Sequence, residues 1–133
     1  MNQNKAKELL VDYENCLQRL EEILNRDAKK DPDLIDGTIQ RFEFTFEIAW
    51  KLMREILVDR GVSVNSPKMT IKESFREKFF KDGDGWIKML EDRNLTSHTY
   101  KQDLAKEIYE RIKNKHYILL KKLKEQMSKA IVS

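Results

Sequence analysis

The sequence has few of the residues that break secondary structure or bind metals: four glycines, two prolines, one cysteine and two histidines among 133 residues. So little glycine and proline argues against a β-sandwich or barrel, which needs many tight turns. A single cysteine excludes a disulfide within the chain, and the helical spacing around Cys16 predicts a small core residue. Two histidines and one cysteine without paired spacing exclude a zinc site.

Long apolar runs are missing as well. No stretch approaches the length that a membrane-spanning helix requires, and the polar start Met1–Lys5 does not resemble a signal peptide. The sequence therefore predicts a cytoplasmic protein with no membrane association, in a reducing compartment where a lone thiol is ordinary.

What the sequence does contain is charge: 37% of the residues are charged and 40% are apolar. This composition is typical of long helices with wide solvated faces, and the length suits one domain spanning residues 1–133. The net charge of +3 is too small to imply nucleic-acid binding by itself.

Apolar residues recur every three to four positions in five segments, which predicts five helices. The fold class is therefore all-α, an antiparallel up-and-down bundle of four to five helices. The predicted segments are about Lys5–Asn25, Asp31 to Arg60 before Gly61, a helix starting at Ser66-Pro67, a short helix from near Trp86 to Asn94, and a last helix from Thr99–Asp103 to near Ile131.

The second predicted helix carries apolar residues on two sides, because Phe44, Ile48 and Leu52 form a stripe apart from the main one. A helix of this kind is usually covered on both sides, either inside a bundle or at a dimer interface. The two alternatives are compatible. In the short fourth helix, Ile87 and Leu90 are expected on the inner face.

The C-terminal quarter is basic: residues 101–133 hold nine lysines and arginines against four acids. A solvated helix face and a surface that attracts phosphates both explain this excess.

Two features of the sequence suggest a calcium site and a catalytic histidine, but both are better explained in other ways. If Asp82 began a calcium-binding loop, Trp86 and Arg93 would occupy ligand positions, and neither can ligate calcium. The segment Asp82–Gly85 is better explained as a turn that caps the next helix. His116 lies between Ile112 and Leu119 on an apolar stripe, which indicates a packing residue rather than a catalyst.

The segment from Arg93 to Tyr100 combines a permanent cation, an amide, three aliphatic hydroxyls, an imidazole and a phenol. His98 can take up and return a proton near neutral pH, and the fork of Arg93 fits a phosphate. Five positions on an α-helix rotate a side chain by about 140° away from alignment, so the backbone must bend or unwind if both are to meet one ligand. Chemistry alone leaves a functional site and a polar helix end as alternatives.

The same segment resembles a known family. Arg93, His98 and Tyr100 match the Arg-x4-His-x-Tyr form of the HEPN signature found in HepT toxins. Arg41–Lys51 is similar to the second helix of the nucleotidyltransferase substrate-binding protein family, a HEPN branch. Ser66-Pro67 and Met89–Asn94 match that family in kind and order.

The resemblance implies a HEPN-like helical bundle that forms a homodimer and cleaves RNA without a metal or other cofactor. Arg93 and His98 would be catalytic, and Asn94 and Tyr100 would contact the substrate. The implied partner is a small nucleotidyltransferase antitoxin of the MntA type, which would inhibit the ribonuclease by AMPylation of Tyr100. An alternative within the family is a non-catalytic, nucleotide-binding subunit of a two-component nucleotidyltransferase.

Overall fold

A computed structural model describes residues 4–132 of the chain, with side chains through Ile131. It contains the helices α1 (Asn4–Leu24), α2 (Asp33–Asp59), α3 (Pro67–Arg76), α4 (Gly83–Leu95), α5 (Gln102–Arg111) and α6 (Tyr117–Val132). A 3₁₀ turn, Thr96–His98, follows α4. A π turn, Ile112–His116, joins α5 to α6, so that these three elements form one continuous last helix. Residues 4–132 contain no β-strand, so the all-α prediction is confirmed.

Local sequence explains most helix ends. Ser66 accepts a hydrogen bond through Oγ from the Met69 N–H at 3.2 Å, and Pro67 follows as the first helical residue of α3. Gly61, with φ of 82°, ends α2 as predicted. Lys78, in the turn after α3, has a φ of 62°, a conformation that residues other than glycine rarely adopt.

Polar contacts give the helix directions of the first hairpin. Lys5 pairs with Glu55 at 3.7 Å, while Arg41 Nη1 donates to the Arg19 carbonyl at 2.7 Å. Early residues of α1 therefore face late residues of α2, and the two helices are antiparallel.

The last helix is antiparallel to α1, because Glu14 pairs with Lys124 at 3.7 Å while Glu21 lies in a groove beside Tyr117. It is also antiparallel to α4, whose early residue Gly85 approaches Leu119. The order is therefore up, down, up, down for α1, α2, α4 and the last helix, with α3 in the long connection. This confirms the predicted up-and-down bundle.

The core lies between these four helices, and it corrects the prediction for Cys16. Cys16 is only partly buried, so it lies at the edge of the core rather than inside it. On the second stripe of α2, Leu52 is buried but Phe44 is 51% exposed. The bundle therefore covers only one end of that stripe.

The inner face of α4 was also predicted wrongly. Trp86, Met89 and Asp92 are the buried residues of this helix, whereas Ile87 and Leu90 are partly buried at its edges. None of the helices within residues 4–132 combines the length and the apolar character that crossing a membrane requires.

Candidate functional site

The start of α4 shows what the segment rich in glycine and aspartate does. Asp82 Oδ1 accepts a hydrogen bond from the Gly85 N–H at 2.8 Å, and Asp82 is the N-cap of the helix. The prediction of a capping turn rather than a calcium loop is confirmed. Within residues 4–132, no group of three or more histidines, cysteines and acids is arranged to hold a metal ion.

The other end of α4 carries Arg93 in its last turn. Arg93 Nη2 donates to Glu47 Oε2 of α2 at 3.0 Å, and Lys51 lies 3.6 Å from the other oxygen of Glu47. The guanidinium is partly exposed, and a single carboxylate uses only part of its five-donor fork. Arg93 is therefore held at the surface with donors left for an anion.

His98 lies at the end of the 3₁₀ turn, where the α-helical winding has stopped after Leu95. Its imidazole is exposed and, in the described part of the chain, makes no hydrogen bond. Its ring neighbour is Tyr100, with centroids 6.4 Å apart and planes tilted by 57°. The helix does unwind between Arg93 and His98, but no hydrogen bond joins the two side chains among residues 4–132.

Asn94 and Tyr100 complete the predicted set. Both are exposed, and the phenol of Tyr100 is 76% accessible. The turn is held by local bonds: Thr96 Oγ1 donates to the Arg93 carbonyl at 2.7 Å and Thr99 Oγ1 to the Thr96 carbonyl at 2.8 Å. The structure therefore places all four predicted residues on one short surface segment.

A groove of about 910 Å³ opens beside Tyr100, between the first turns of α2 and the start of α5. Its polar lining includes Asp33, Asp36 and Glu43 from α2 and Lys106 from α5. Tyr100 therefore stands between an acidic groove on one side and His98 on the other.

The sequence did not reveal a buried ionic cluster next to Arg93. Arg111 Nε and Nη2 donate to Asp92 Oδ2 and Oδ1 at 2.7 and 2.9 Å, and His116 Nε2 lies 2.6 Å from Oδ2. Asp92 and His116 are almost completely buried, and His116 stacks on Phe42 with centroids 5.5 Å apart. His116 is thus a packing residue as predicted, but with an ionic partner.

The protonation of Asp92 follows from these contacts. Burial raises the pKa of the carboxyl, but hydrogen bonds from His116 and Arg111 outweigh it and lower the pKa to about 2. The same hydrogen bond raises the pKa of Arg111. A sequence signal for this cluster existed: Trp86, Met89 and Asp92 share one face of α4, so an acid continues an apolar stripe.

The basic excess near the C-terminus lies on the surface of the last helix and just before it. Lys124 pairs with Glu14 and Arg111 with Asp92. The remaining lysines are exposed and make no ion pair within residues 4–132: Lys101, Lys106, Lys113, Lys115, Lys121, Lys122 and Lys129. This pattern fits both interpretations made from the sequence.

Comparison with known proteins shows which family the chain is similar to. A family model described as nucleotidyltransferase substrate binding protein like matches residues 8–129. The chain is 33% identical over 84 residues to a protein of Haemophilus influenzae named probable ribonuclease HepT. That alignment covers 59% of this chain and 58% of the relative, so it spans less than two thirds of either protein.

Solved structures share the fold over nearly the whole chain. A crystal structure from Thermus thermophilus is 31% identical, with a TM-score of 0.75, and covers 91% of this chain and 99% of its own. A Haemophilus influenzae structure, described as the fold of a substrate binding domain of a nucleotidyltransferase, is 27% identical with a TM-score of 0.66. It covers 96% of this chain and 99% of its own.

Proposed function

The chain belongs to the nucleotidyltransferase substrate binding protein like family, and from this membership we propose that it is a metal-independent endoribonuclease toxin of the HepT type. The observation that carries the proposal is that Arg93, an exposed His98 and an exposed Tyr100 lie on one short surface segment. The name of the Haemophilus influenzae relative, probable ribonuclease HepT, supports the same activity.

In the proposed reaction, His98 removes the proton from a ribose 2′-hydroxyl, and the 2′-oxygen attacks the adjacent phosphorus. The bond from phosphorus to the 5′-oxygen breaks, and that oxygen leaves with a proton. The products are a 2′,3′-cyclic phosphate and a 5′-hydroxyl. His98 is suited to the role of base because its imidazole is exposed and makes no hydrogen bond in the described structure.

Arg93 would stabilise the negative charge that grows on the phosphate oxygens during the attack. Glu47 holds one Nη at 3.0 Å, which orients the guanidinium before RNA binds. Asn94 follows Arg93 on the exposed surface, where its amide would orient the phosphate or His98. None of these roles requires a metal or a cofactor.

A homodimer is part of the proposal, because it supplies a second imidazole for the leaving oxygen. Phe44 is 51% exposed on α2, three residues before Glu47. A large exposed aromatic beside a proposed site is typical of a contact surface. In the proposed dimer, the Arg93 and His98 motifs of the two subunits face a shared cleft.

The proposed partner is a small nucleotidyltransferase antitoxin of the MntA type, and the proposed control is AMPylation of Tyr100. Its phenol is 76% exposed, so an enzyme can reach it, and it lies two residues from His98. An adenylyl group there would add bulk and negative charge beside the base. RNA would then be kept away from the site by both effects.

The test is cleavage of total RNA by the purified, unmodified protein in the presence of EDTA. Wild-type protein should yield fragments with cyclic phosphate ends, and His98→Ala should lower the rate by about a hundredfold or more. Ser97→Ala is the matched control, because Ser97 is an exposed neighbour in the same turn. Within residues 4–132 its side chain makes only one hydrogen bond, a long one of 3.5 Å to the Asn94 carbonyl. Absence of cleavage by wild-type protein, or full activity in His98→Ala, would overturn the proposal.

A second candidate is a non-catalytic subunit that binds nucleotide for a transferase. It is favoured by the Haemophilus influenzae structure described as a substrate binding domain of a nucleotidyltransferase. This hypothesis predicts a stable complex with the transferase and nucleotide affinity that Arg93→Ala weakens, without RNA cleavage.

A further inference from the structure

A fully buried carboxylate lies directly before the proposed phosphate-binding arginine. Asp92 is 0% exposed and is held by two hydrogen bonds from Arg111 and one from His116. Buried ion pairs are weak sources of stability, since well-packed apolar groups often replace them without loss. The cluster is therefore better explained by where it holds the chain than by how much it stabilises the fold.

The π turn makes this cluster geometrically feasible. Arg111 and His116 are five residues apart, so on a regular α-helix they would point about 140° away from each other. The wider winding of Ile112–His116 brings both onto the face that meets Asp92. A π turn inserts one extra residue into an α-helix at an energetic cost. The placement of Arg111 and His116 on one face is therefore expected to serve a function.

His116 connects the Asp92 cluster to a third helix, α2. Its ring stacks on Phe42 of α2, and Nδ1 is buried without a hydrogen-bond partner. A ring that donates its Nε2–H to Asp92 leaves Nδ1 as a lone pair, which is easier to bury than an unpaired N–H donor. Asp92 is thus bonded to the last helix and, through His116, packed against α2.

Beyond Asp92 and Arg93, the side chains of this segment make only local hydrogen bonds within residues 4–132. In the described structure, those made by the side chains of Thr96, Ser97 and Thr99 all reach residues three positions away. Among residues 4–132, the long-range side-chain hydrogen bonds of residues 92–100 are made by Asp92 and Arg93 alone. These two residues therefore set the position from which the 3₁₀ turn and His98 begin.

We propose that Asp92, anchored by Arg111 and His116, is a positioning residue that fixes the backbone of Arg93 and the start of the His98 turn for attack on a phosphate. This inference rests on the proposed ribonuclease function. Glu47 holds the guanidinium from the side of α2, while Asp92 holds the main chain from the side of the last helix. The two anchors leave Arg93 preorganised before substrate arrives.

The test is a double-mutant cycle between Asp92→Asn and Arg93→Ala on RNA cleavage by the full-length protein. We expect Asp92→Asn to lower kcat about tenfold or more with KM changed less than about threefold. In the Arg93→Ala background the same substitution should lower kcat by a smaller factor, because only its effect through the His98 turn remains. Glu91→Gln is the matched control, because Glu91 is an exposed neighbour paired with Lys88 at 3.7 Å. Equal effects of Asp92→Asn in both backgrounds would overturn the inference.

A second readout does not depend on activity. Backbone amide exchange of residues 93–100 should accelerate in Asp92→Asn by about tenfold or more beyond the acceleration of the α1 amides, which report the global stability. Uniform acceleration over the chain would show a merely structural role and contradict the proposal, as would unchanged exchange.

Two further measurements distinguish failure of this proposal from misfolding of the variant and from failure of the ribonuclease proposal. If Asp92→Asn does not fold, Arg111→Gln, which keeps the carboxylate and changes a partly exposed partner, is measured in the same way. If wild-type protein does not cleave RNA, the ribonuclease proposal fails, and the exchange of residues 93–100 still decides whether Asp92 positions this segment.

Discussion

Arg93 and Glu47 lie 46 residues apart in the chain, yet Arg93 Nη2 and Glu47 Oε2 are 3.0 Å apart in the bundle. The pair joins the end of α4 to the middle of α2. Both side chains are about one-third exposed, so the pair adds little to folding stability. Its consequence is local, because it orients the guanidinium and also places a negative charge next to the proposed phosphate site.

Glu47→Gln should therefore strengthen RNA binding. Removing one partly screened negative charge is worth roughly 0.5–1 kcal/mol, which lowers Kd about two- to fivefold. The Kd is measured for a short RNA in a His98→Ala background, so that the RNA stays intact. Glu43→Gln, one turn earlier on α2, serves as the control and should change Kd less. Unchanged binding in Glu47→Gln would mean that this carboxylate does not face the RNA.

Asp92 should make the fold sensitive to acid. Its pKa of about 2 in the folded chain lies below the value of about 3.9 expected when it is unfolded. A lowered folded pKa contributes stability above the unfolded value, and the contribution is lost as pH falls from about 4 toward 2. At about 1.4 kcal/mol per pKa unit, this difference contributes roughly 2 to 3 kcal/mol.

Urea unfolding between pH 2 and pH 6 measures this effect. In Asp92→Asn, the free energy of unfolding should change less over this range than in the wild type, because the other carboxylates still titrate but Asp92 does not. Parallel pH profiles of the two proteins would contradict the assignment of the lowered pKa to Asp92.

Tyr100 should be the residue that gains AMP when the protein is co-expressed with the proposed nucleotidyltransferase partner. Intact mass should show one or more added AMP groups in the wild type and none in Tyr100→Phe. Tyr109→Phe is the control and should still be modified, because Tyr109 is buried and out of an enzyme's reach. Modification that persists in Tyr100→Phe would show that another residue carries the AMP.

Phe44→Asp should convert the proposed homodimer to a monomer, because a carboxylate cannot be buried in an apolar interface without a partner. Light scattering after size exclusion gives the mass directly. Val11→Asp adds the same charge at a similarly exposed position on α1 and should leave the dimer intact. A wild-type monomer, or a dimer in Phe44→Asp, would argue against this face.

Deleting Asn114 should turn the π turn into a regular α turn. Arg111 and His116 would then be four positions apart, a spacing that keeps both on one face and within reach of Asp92. The thermal midpoint is expected to stay within about 5 °C of the wild-type value. A collapse of stability would show that the π turn has a role beyond the placement of these two residues.

The helices were predictable because their signals are local. Apolar residues at a period of 3.6, Gly61 and the start at Ser66-Pro67 specify where the chain turns into helix and where it stops, and the observed bounds follow them closely. The motif from Arg93 to Tyr100 is also local, so the four predicted residues could be named without any structure. Their roles stay predictions, to be tested by the cleavage and mass measurements.

Only the tertiary structure decided which side chains meet between helices. The partners of Asp92 are 19 and 24 residues away and Glu47 is 46 residues from Arg93. These pairs depend on the register of helix packing and on a π turn, and local propensity encodes neither. The same dependence explains why the bundle leaves Phe44 exposed, and why Asp92 rather than Leu90 lies inside.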